Sequence, residues 1–334
     1  MAQGRGSITP RALPAELDAR PVARLELGDG ARIPRWTSGR ECWVFRAETA
    51  EELCGYHAQL IASALAPHER LEHLLYSPRS DATDGPFRVG GAPGSHAVGI
   101  TQGRLLISHD PHADSPPRSV LRIDLSVVSA LELGSALTLG WFVVRFGGPQ
   151  GAASCAVTFS SSGIAHFREL VRVYRHLGRR ARAPRRGAFE WPSVWEVVPA
   201  YLRSELEPLT DAGEPPLAVL RSPERWTSEK GFWSTRAVCV CAAGLLVATP
   251  LGLLWAASEP SLRPGGYGFG VNVTVVPPDR VLEAAIGTRG TLGVLRLRVG
   301  SGAAPHELEV PFDPDDVRSA ETVVQLVRCW RGAA

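Results

Sequence analysis

His109-Asp110-Pro111-His112-Ala113-Asp114 places four side chains able to ligate a metal within six residues. Imidazole and carboxylate donors suit a divalent ion, yet such a site needs further donors from elsewhere, and no distant set with metal-ligand spacing accompanies this run. The run also lies between two apolar segments, where Asp, Pro and His are ordinary turn residues. Cys239 and Cys241 stand two apart, so on a strand they share one face and read as two small core residues. The remaining cysteines, Cys42, Cys54, Cys155 and Cys329, are scattered, and buried free thiols in a reducing cytosol are expected for the whole set. Gly265-Gly266-Tyr267-Gly268-Phe269-Gly270 has the glycine content of a phosphate loop, but Val271–Val276 after it reads as strand where a helix N-terminus is needed. It is read as an insertion loop. Neither a Gly-x-Ser-x-Gly elbow nor a Walker Gly-Lys-Ser/Thr occurs, and no two carboxylates share a recognisable frame. The expectation is a protein that is not an enzyme and has no cofactor or metal.

Two clusters have the composition of binding surfaces. Arg179, Arg180, Arg182, Arg185 and Arg186 precede Trp191 and Trp195. Such a run can meet the phosphates of an anionic membrane, or can be a solvated linker whose tryptophans pack on a neighbouring domain. After Ser222-Pro223 come Arg225, Trp226, Lys230, Phe232, Trp233 and Arg236. Trp and Arg dominate protein-interface hot spots, and the same mixture suits headgroup insertion or packing between domains. Lys and Arg number 36 against 34 Asp and Glu, a net charge of +2, too balanced for a chain built around nucleic acid. Lys230 is the single lysine, so the arginine excess is spread over the whole chain, reads as genome composition, and locates no site by itself.

The elements that must position these clusters are short. A chain of 334 residues suggests about two domains, and its 34 Gly and 27 Pro favour strands joined by many turns. Residues 237–257 carry no charge and are long enough for a bilayer, but Pro250 and Gly252 interrupt them, and their β-branched content predicts two buried strands about a turn. No apolar signal-peptide core occurs between Met1 and Pro14, so a cytoplasmic chain is expected.

A duplication organises the rest. At an offset of 145, Glu69, Leu75, Ser77 and Pro78 match Glu214, Leu220, Ser222 and Pro223. At an offset of 140, Ala97–Ser108 match Ala237–Ala248, which sets Gly244 against Arg104. Thirteen extra residues follow in the second copy, and then an offset of 153 runs without a gap to the end, pairing Val128, Gly134, Gly140 and Phe159 with Val281, Gly287, Gly293 and Phe312. Each copy reads as several short strands (Leu74–Tyr76, Val98–Thr101, Leu105–Ser108, Val120–Ile123, Trp141–Phe146 and Ala156–Phe159 in the first) followed by one amphipathic helix. Phe167, Leu170, Val171 and Tyr174 set the helical period in the first copy; Ala320, Val323, Val324 and Val327 set it in the second. Asp313-Pro314 with Asp316 is a helix start signal. Near the N-terminus, 41–46 reads as strand and 51–65 as helix, with Thr49 and Glu52 as a capping box. Strand then helix is how each copy ends, so this segment is either a degenerate third copy or an extension packed on the first domain.

Strands closed by one helix, with Gly99–Ile107 and then Leu121–Val128, resemble the bacterial PH-like and GRAM-type domain family, whose Thr-x-x-Arg-Leu-Leu hairpin is similar to Thr101-Gln102-Gly103-Arg104-Leu105-Leu106. The resemblance implies a mainly β (α+β) fold of two tandem PH-like bent β-barrels, each closed by its C-terminal amphipathic helix. The expected division is an N-terminal extension over 1–66 whose first 20 or so residues are disordered, PH-like domains over 67–178 and 201–332, and an Arg/Trp-rich linker over 179–200. It implies binding rather than catalysis: a scaffold for a protein partner, or alternatively a peripheral adaptor on an anionic membrane surface. Homo-oligomerisation stays open, since closed β-units can meet through their edges.

Overall fold

The computed structural model describes residues 22–26, 43–78, 94–111, 118–148, 151–177, 198–211, 214–230, 235–259, 270–301 and 305–332. In chain order the strands and helices are β1 (Val22–Glu26), β2 (Phe45–Ala47), α1 (His57–Ala64), β3 (Leu71–Ser77), β4 (Gly94–Thr101), β5 (Arg104–Pro111), β6 (Ser119–Asp124), β7 (Val128–Ala136), β8 (Leu139–Gly148), β9 (Gly151–Ser160) and α2 (Ile164–Leu177). Then come α3 (Ala200–Leu206), β10 (Ala218–Ser222), β11 (Arg225–Lys230), β12 (Thr235–Cys241), β13 (Gly244–Thr249), β14 (Gly252–Ser258), β15 (Gly270–Val276), β16 (Val281–Arg289), β17 (Leu292–Val299), β18 (His306–Phe312) and α4 (Val317–Gly332). The protein is mainly β, and its strands pair antiparallel.

Several local expectations need correction. The segment Leu121–Val128 is not one strand: β6 ends at Asp124, and a 3-10 turn, Leu125–Val127, swings the chain into β7. The N-terminal helix starts at His57, because Gly55 takes a left-handed φ of 62° and breaks the run that Thr49 was to cap. Thr49 makes no side-chain cap; Glu52 Oε2 instead accepts from the Glu48 amide. Asp313 does cap its turn, accepting from the Asp315 amide, with Pro314 in the first position. Residues 237–257 form the end of β12 and then β13 and β14; only the last two are buried throughout most of their length.

Strand pairing gives the duplication a register. In sheet A the order is β1-β6-β5-β4-β3-β2, and in sheet B it is β10-β13-β14-β15-β7-β8-β9. Leu75 faces Val98 in the first half, and Leu220 faces Leu246 in the second. Ile107 faces Leu121, and Trp255 faces Thr274. Offsets of 145 and 153 therefore hold, but between them β4 and β5 correspond to β13 and β14 at an offset of 148, not to Ala237–Ala248 at 140 as expected. Gly252, at φ 116°, stands where Arg104 does. From residue 125 onward elements begin in step: β7 and β16 at Val128 and Val281, β8 and β17 at Leu139 and Leu292, α2 and α4 at Ile164 and Val317.

The expected pair of closed barrels is not what this pairing builds. No sheet closes on itself among the described residues. The reason is that β7 leaves its own half and pairs with β15, joining the three strands of the first half to the four of the second. β1 holds the matching position on sheet A: Leu25 faces Val120 as Leu133 faces Val273. Alternation then puts one face of sheet B into a core with Phe142, Phe159, Phe167 and Leu170 of the first half and with Leu202, Leu206 and Leu254 of the second. The other face of β10 and β13–β15 packs with β16–β18 and α4 in a second core around Leu246, Leu253, Leu295 and Phe312. α1 covers the outer face of sheet A with Leu60 and Ile61 against Leu74, Ala97 and Leu106. α3 covers the corresponding face of sheet B, against β14 and β15. Among the described residues no helix is long and apolar enough to cross a membrane.

Candidate interaction surface

β11 and β12 form a ribbon between β10 and β13 that belongs to neither large sheet. Their register runs from Arg225 opposite Cys241 to Lys230 opposite Thr235, with a bulge between Arg225 and Trp226. The sequence folds this way because Trp226, Thr227, Val238 and Val240 favour extended backbone. Both faces of the ribbon meet solvent. Arg225, Thr227, Ser228 and Ala237 are exposed, Trp226, Val238 and Cys239 are half-buried, and Val240 is 51% exposed. None of these side chains belongs to the three cores.

The ribbon is anchored at its foot. Arg225 Nη2 donates to Asp313 Oδ2 at 2.7 Å, and the other oxygen of that carboxylate caps the turn leading into α4. Trp226 Nε1 donates to Glu224 Oε1 at 2.9 Å, which orients the indole along the strand. Ser222 Oγ lies 3.2 Å from Cys241 Sγ, and Cys239 Sγ donates to the Cys241 carbonyl. Burial pushes both thiols above the usual thiol range, so neither carries the thiolate that nucleophilic or redox chemistry requires.

Of the six residues singled out here by sequence, Arg225 and Trp226 sit together at the foot of the ribbon. Lys230 and Arg236 have backbone positions near its tip, and their side chains, with Phe232 and Trp233, lie outside the described residues. Arg179, Arg180, Arg182, Arg185 and Arg186, with Trp191 and Trp195, also lie outside them, as do residues 265–269 of the glycine-rich run. Val240 escaped the sequence reading, which placed it in a buried strand. Its signal was the unbroken β-branched alternation Val238-Cys239-Val240-Cys241, which looks the same whether a strand is buried or half-exposed.

The His/Asp run is partly strand. His109 and Asp110 belong to β5, not to a turn; His109 Nδ1 lies 3.0 Å from His96 Nε2 in the core, and Asp110 pairs with Arg118 at 2.9 Å. His112 and Asp114 lie outside the described residues, within which no group of three or more His, Cys, Asp or Glu converges as a metal site.

A buried serine–histidine arrangement was not anticipated. His57 of α1 reaches Ser108 Oγ at 2.7 Å through Nδ1 and Ser95 Oγ at 2.9 Å through Nε2. Serine beside imidazole is the pairing of nucleophile and base, but His57 is fully buried and both ring nitrogens are engaged. Burial, and then His109, push its pKa down to about 3, too low for a general base near neutrality. These contacts tie α1 to β4 and β5. The signal lay in the position of His57 three and four residues before Leu60 and Ile61, on the helix face that the core covers.

No protein-family model matches this sequence, and no curated protein is measurably similar to it.

Proposed function

We propose that this chain is a cytoplasmic, non-enzymatic interaction protein that docks a protein partner on the β11–β12 ribbon. The observation that carries the reading is a two-stranded ribbon with solvent on both faces, Val240 half-exposed on one strand and Trp226 held by Glu224 on the other. Two strands alone are marginal in water, and this pair is kept extended by its foot rather than by a core. Trp226 and Arg225 are of the residue types that dominate interface hot spots. We read the two halves as tandem PH-like units. Support comes from the order in each: a four-strand set (β3–β6; β10 and β13–β15, with the β11–β12 ribbon inserted), three strands and one closing helix, repeated at matching register.

The test is affinity capture from host cells with the tagged full chain, beside Trp226→Ala and Val240→Asp. A specific partner captured by the parent chain and lost from both variants, with unchanged circular dichroism, is the expected result. The competing source of a ligand is an anionic membrane, met through the Arg179–Arg186 run. Salt-sensitive sedimentation with anionic vesicles, indifferent to both ribbon variants but abolished by replacing those five arginines, would replace the protein-docking reading with a peripheral lipid adaptor.

A further inference from the structure

In both four-stranded sets the free edge of the last strand is occupied: β1 lies on β6, and β7 lies on β15 in the same register. The strand that corresponds to β7 in the second half is β16, and among the described residues β16 pairs only with β17. The difference shows at one side chain. Leu133 of β7 is 3% exposed, because β15 continues the sheet beside it, whereas its counterpart Ile286 is 40% exposed. From Glu283 to Arg289 the open edge has no proline, no bulge and no lysine, the devices that normally blunt such an edge. α4 packs on β16 and Arg331 donates to the Leu282 carbonyl, yet Glu283, Ala285, Ile286, Thr288 and Arg289 stay exposed.

We propose that this edge pairs with the same edge of a second copy, antiparallel and centred on Ile286. The spacing of charge selects that partner. With Ile286 opposite its own copy, Glu283 stands opposite Arg289 of the second chain, and the twofold axis repeats the pair. Ala285 stands opposite Gly287, so nothing bulky separates the backbones. Glu283 and Arg289 are 65% and 73% exposed, and among the described residues each makes one long ion pair, to Arg298 at 3.8 Å and to Glu309 at 3.6 Å. Ile286 lies on the same face as Leu295, its partner in β17, so two exposed isoleucines would meet beside two existing cores. The dimer would join two three-stranded sheets into one of six strands. The seam is short, so it forms a weak, concentration-dependent dimer.

Sedimentation velocity of the full chain over a concentration series tests this. The parent protein shifts from monomer to dimer with rising concentration. Glu283→Arg and Arg289→Glu each weaken the association on the order of tenfold, because each turns two attractive cross-strand pairs into two repulsive ones. The double exchange, Glu283→Arg with Arg289→Glu, restores the parent affinity, which no partner other than the same strand would produce. Ile286→Arg abolishes the dimer, and unchanged thermal unfolding shows that the variant still folds. A parent chain that stays monomeric at every concentration, or a dimer indifferent to Ile286→Arg and the charge exchanges, overturns the proposal. The ribbon variants Trp226→Ala and Val240→Asp leave the dimer intact, so this result stands or falls apart from the docking reading.

Discussion

Glu69 and Glu214 occupy one position in the duplication, yet different guanidinium groups neutralise them. Glu69 accepts from Thr101 at 2.7 Å and from Arg104 at 3.3 Å, both on its own β4–β5 hairpin. In the second half the arginine is replaced by Gly252, and Arg175 of α2 reaches across to Glu214 and, at 3.1 Å, to Thr249, the counterpart of Thr101. The Arg175 and Glu214 side chains are 2% and 0% exposed. Removing one member of a buried pair strands the other charge, so Arg175→Met costs about 3–5 kcal/mol in urea unfolding, and Arg175→Met with Glu214→Leu costs clearly less. A double variant no more stable than the single one would show that the two charges are not coupled. His57 leads to a pH prediction. Its folded pKa is depressed to about 3 while the unfolded chain titrates near 6.5, so the unfolded state binds the extra proton between those values. Stability is then full above pH 6.5 and falls as the pH drops toward 3, by up to roughly 1.4 kcal/mol per pH unit from this group. Buried His96 shifts in the same direction. Urea midpoints of His57→Gln should show a shallower acid dependence than the parent chain; equal slopes would remove His57 from the account. Little of this was legible beforehand. The glutamates stood out as repeat matches, but the arginine that neutralises Glu214 comes from a helix of the other half, and no local pattern announces such a partner.

At the scale of elements, turns that correspond in the duplication can be compared directly. The β7–β8 turn holds Leu137 at φ 53°, and the β16–β17 turn holds Gly290 at φ 64°. A side chain in this left-handed region crowds its own carbonyl at a cost of about 1–2 kcal/mol, which glycine escapes. Leu137 is 69% exposed, so little packing offsets that cost. A Cβ at residue 290 would meet nothing within 4 Å, so substitution there tests backbone conformation alone. Gly290→Ala should therefore lower stability by about 1 kcal/mol, while Leu137→Gly should raise it by a few tenths, the relief of strain being partly offset by the looser unfolded chain. Thermal unfolding of the two variants with shifts of the same sign would contradict this. Helices were the most readable elements: the apolar period of α2 and α4 names Phe167, Leu170, Val171, Ala320, Val323 and Val327, all buried. Strand ends were less so. The bend at Leu125–Val127 is made of residues as apolar as the strands it joins. The half-exposed β12 likewise shares its composition with the buried β13, which is why its residues from Ala237 on read as core while Arg225 to Arg236 beside them read as a binding surface.

At the scale of the molecule, the offsets of 145 and 153 were visible in the sequence, and the middle of the alignment was placed eight residues from its true register. The slip moved each match one strand back, from β13 and β14 to β12 and β13, and exchanged faces: Leu105 corresponds to Leu253 in the second core, not to Leu245 in the first, yet one short apolar run reads much like the next. Only strand pairing distinguishes the two alignments. The same pairing decides how independent the halves are. Val247, Leu254, Val273 and Val275 belong to the second half by chain order, but they pack in one core with Phe142, Val157 and Phe167 of the first. Cutting the chain between α2 and α3 would part these residues, leaving that face of β13–β15 covered by α3 alone and that of β7–β9 by α2 and sheet A alone, so part of each is exposed. It would also leave Arg175 and Glu214 without each other. Each fully buried aliphatic or aromatic side chain so exposed costs roughly 1.5–3 kcal/mol, and a handful exceeds the net stability of an ordinary domain. The full chain should therefore unfold in urea as one cooperative transition, with Trp fluorescence and far-ultraviolet circular dichroism coinciding. Residues 198–334 produced alone should collect in the insoluble fraction or bind a hydrophobic dye, and co-expression with 1–197 should recover soluble protein. Two separate transitions, or a soluble 198–334 fragment with a sharp melt of its own, would show that the seam between β7 and β15 joins two finished units rather than completing both.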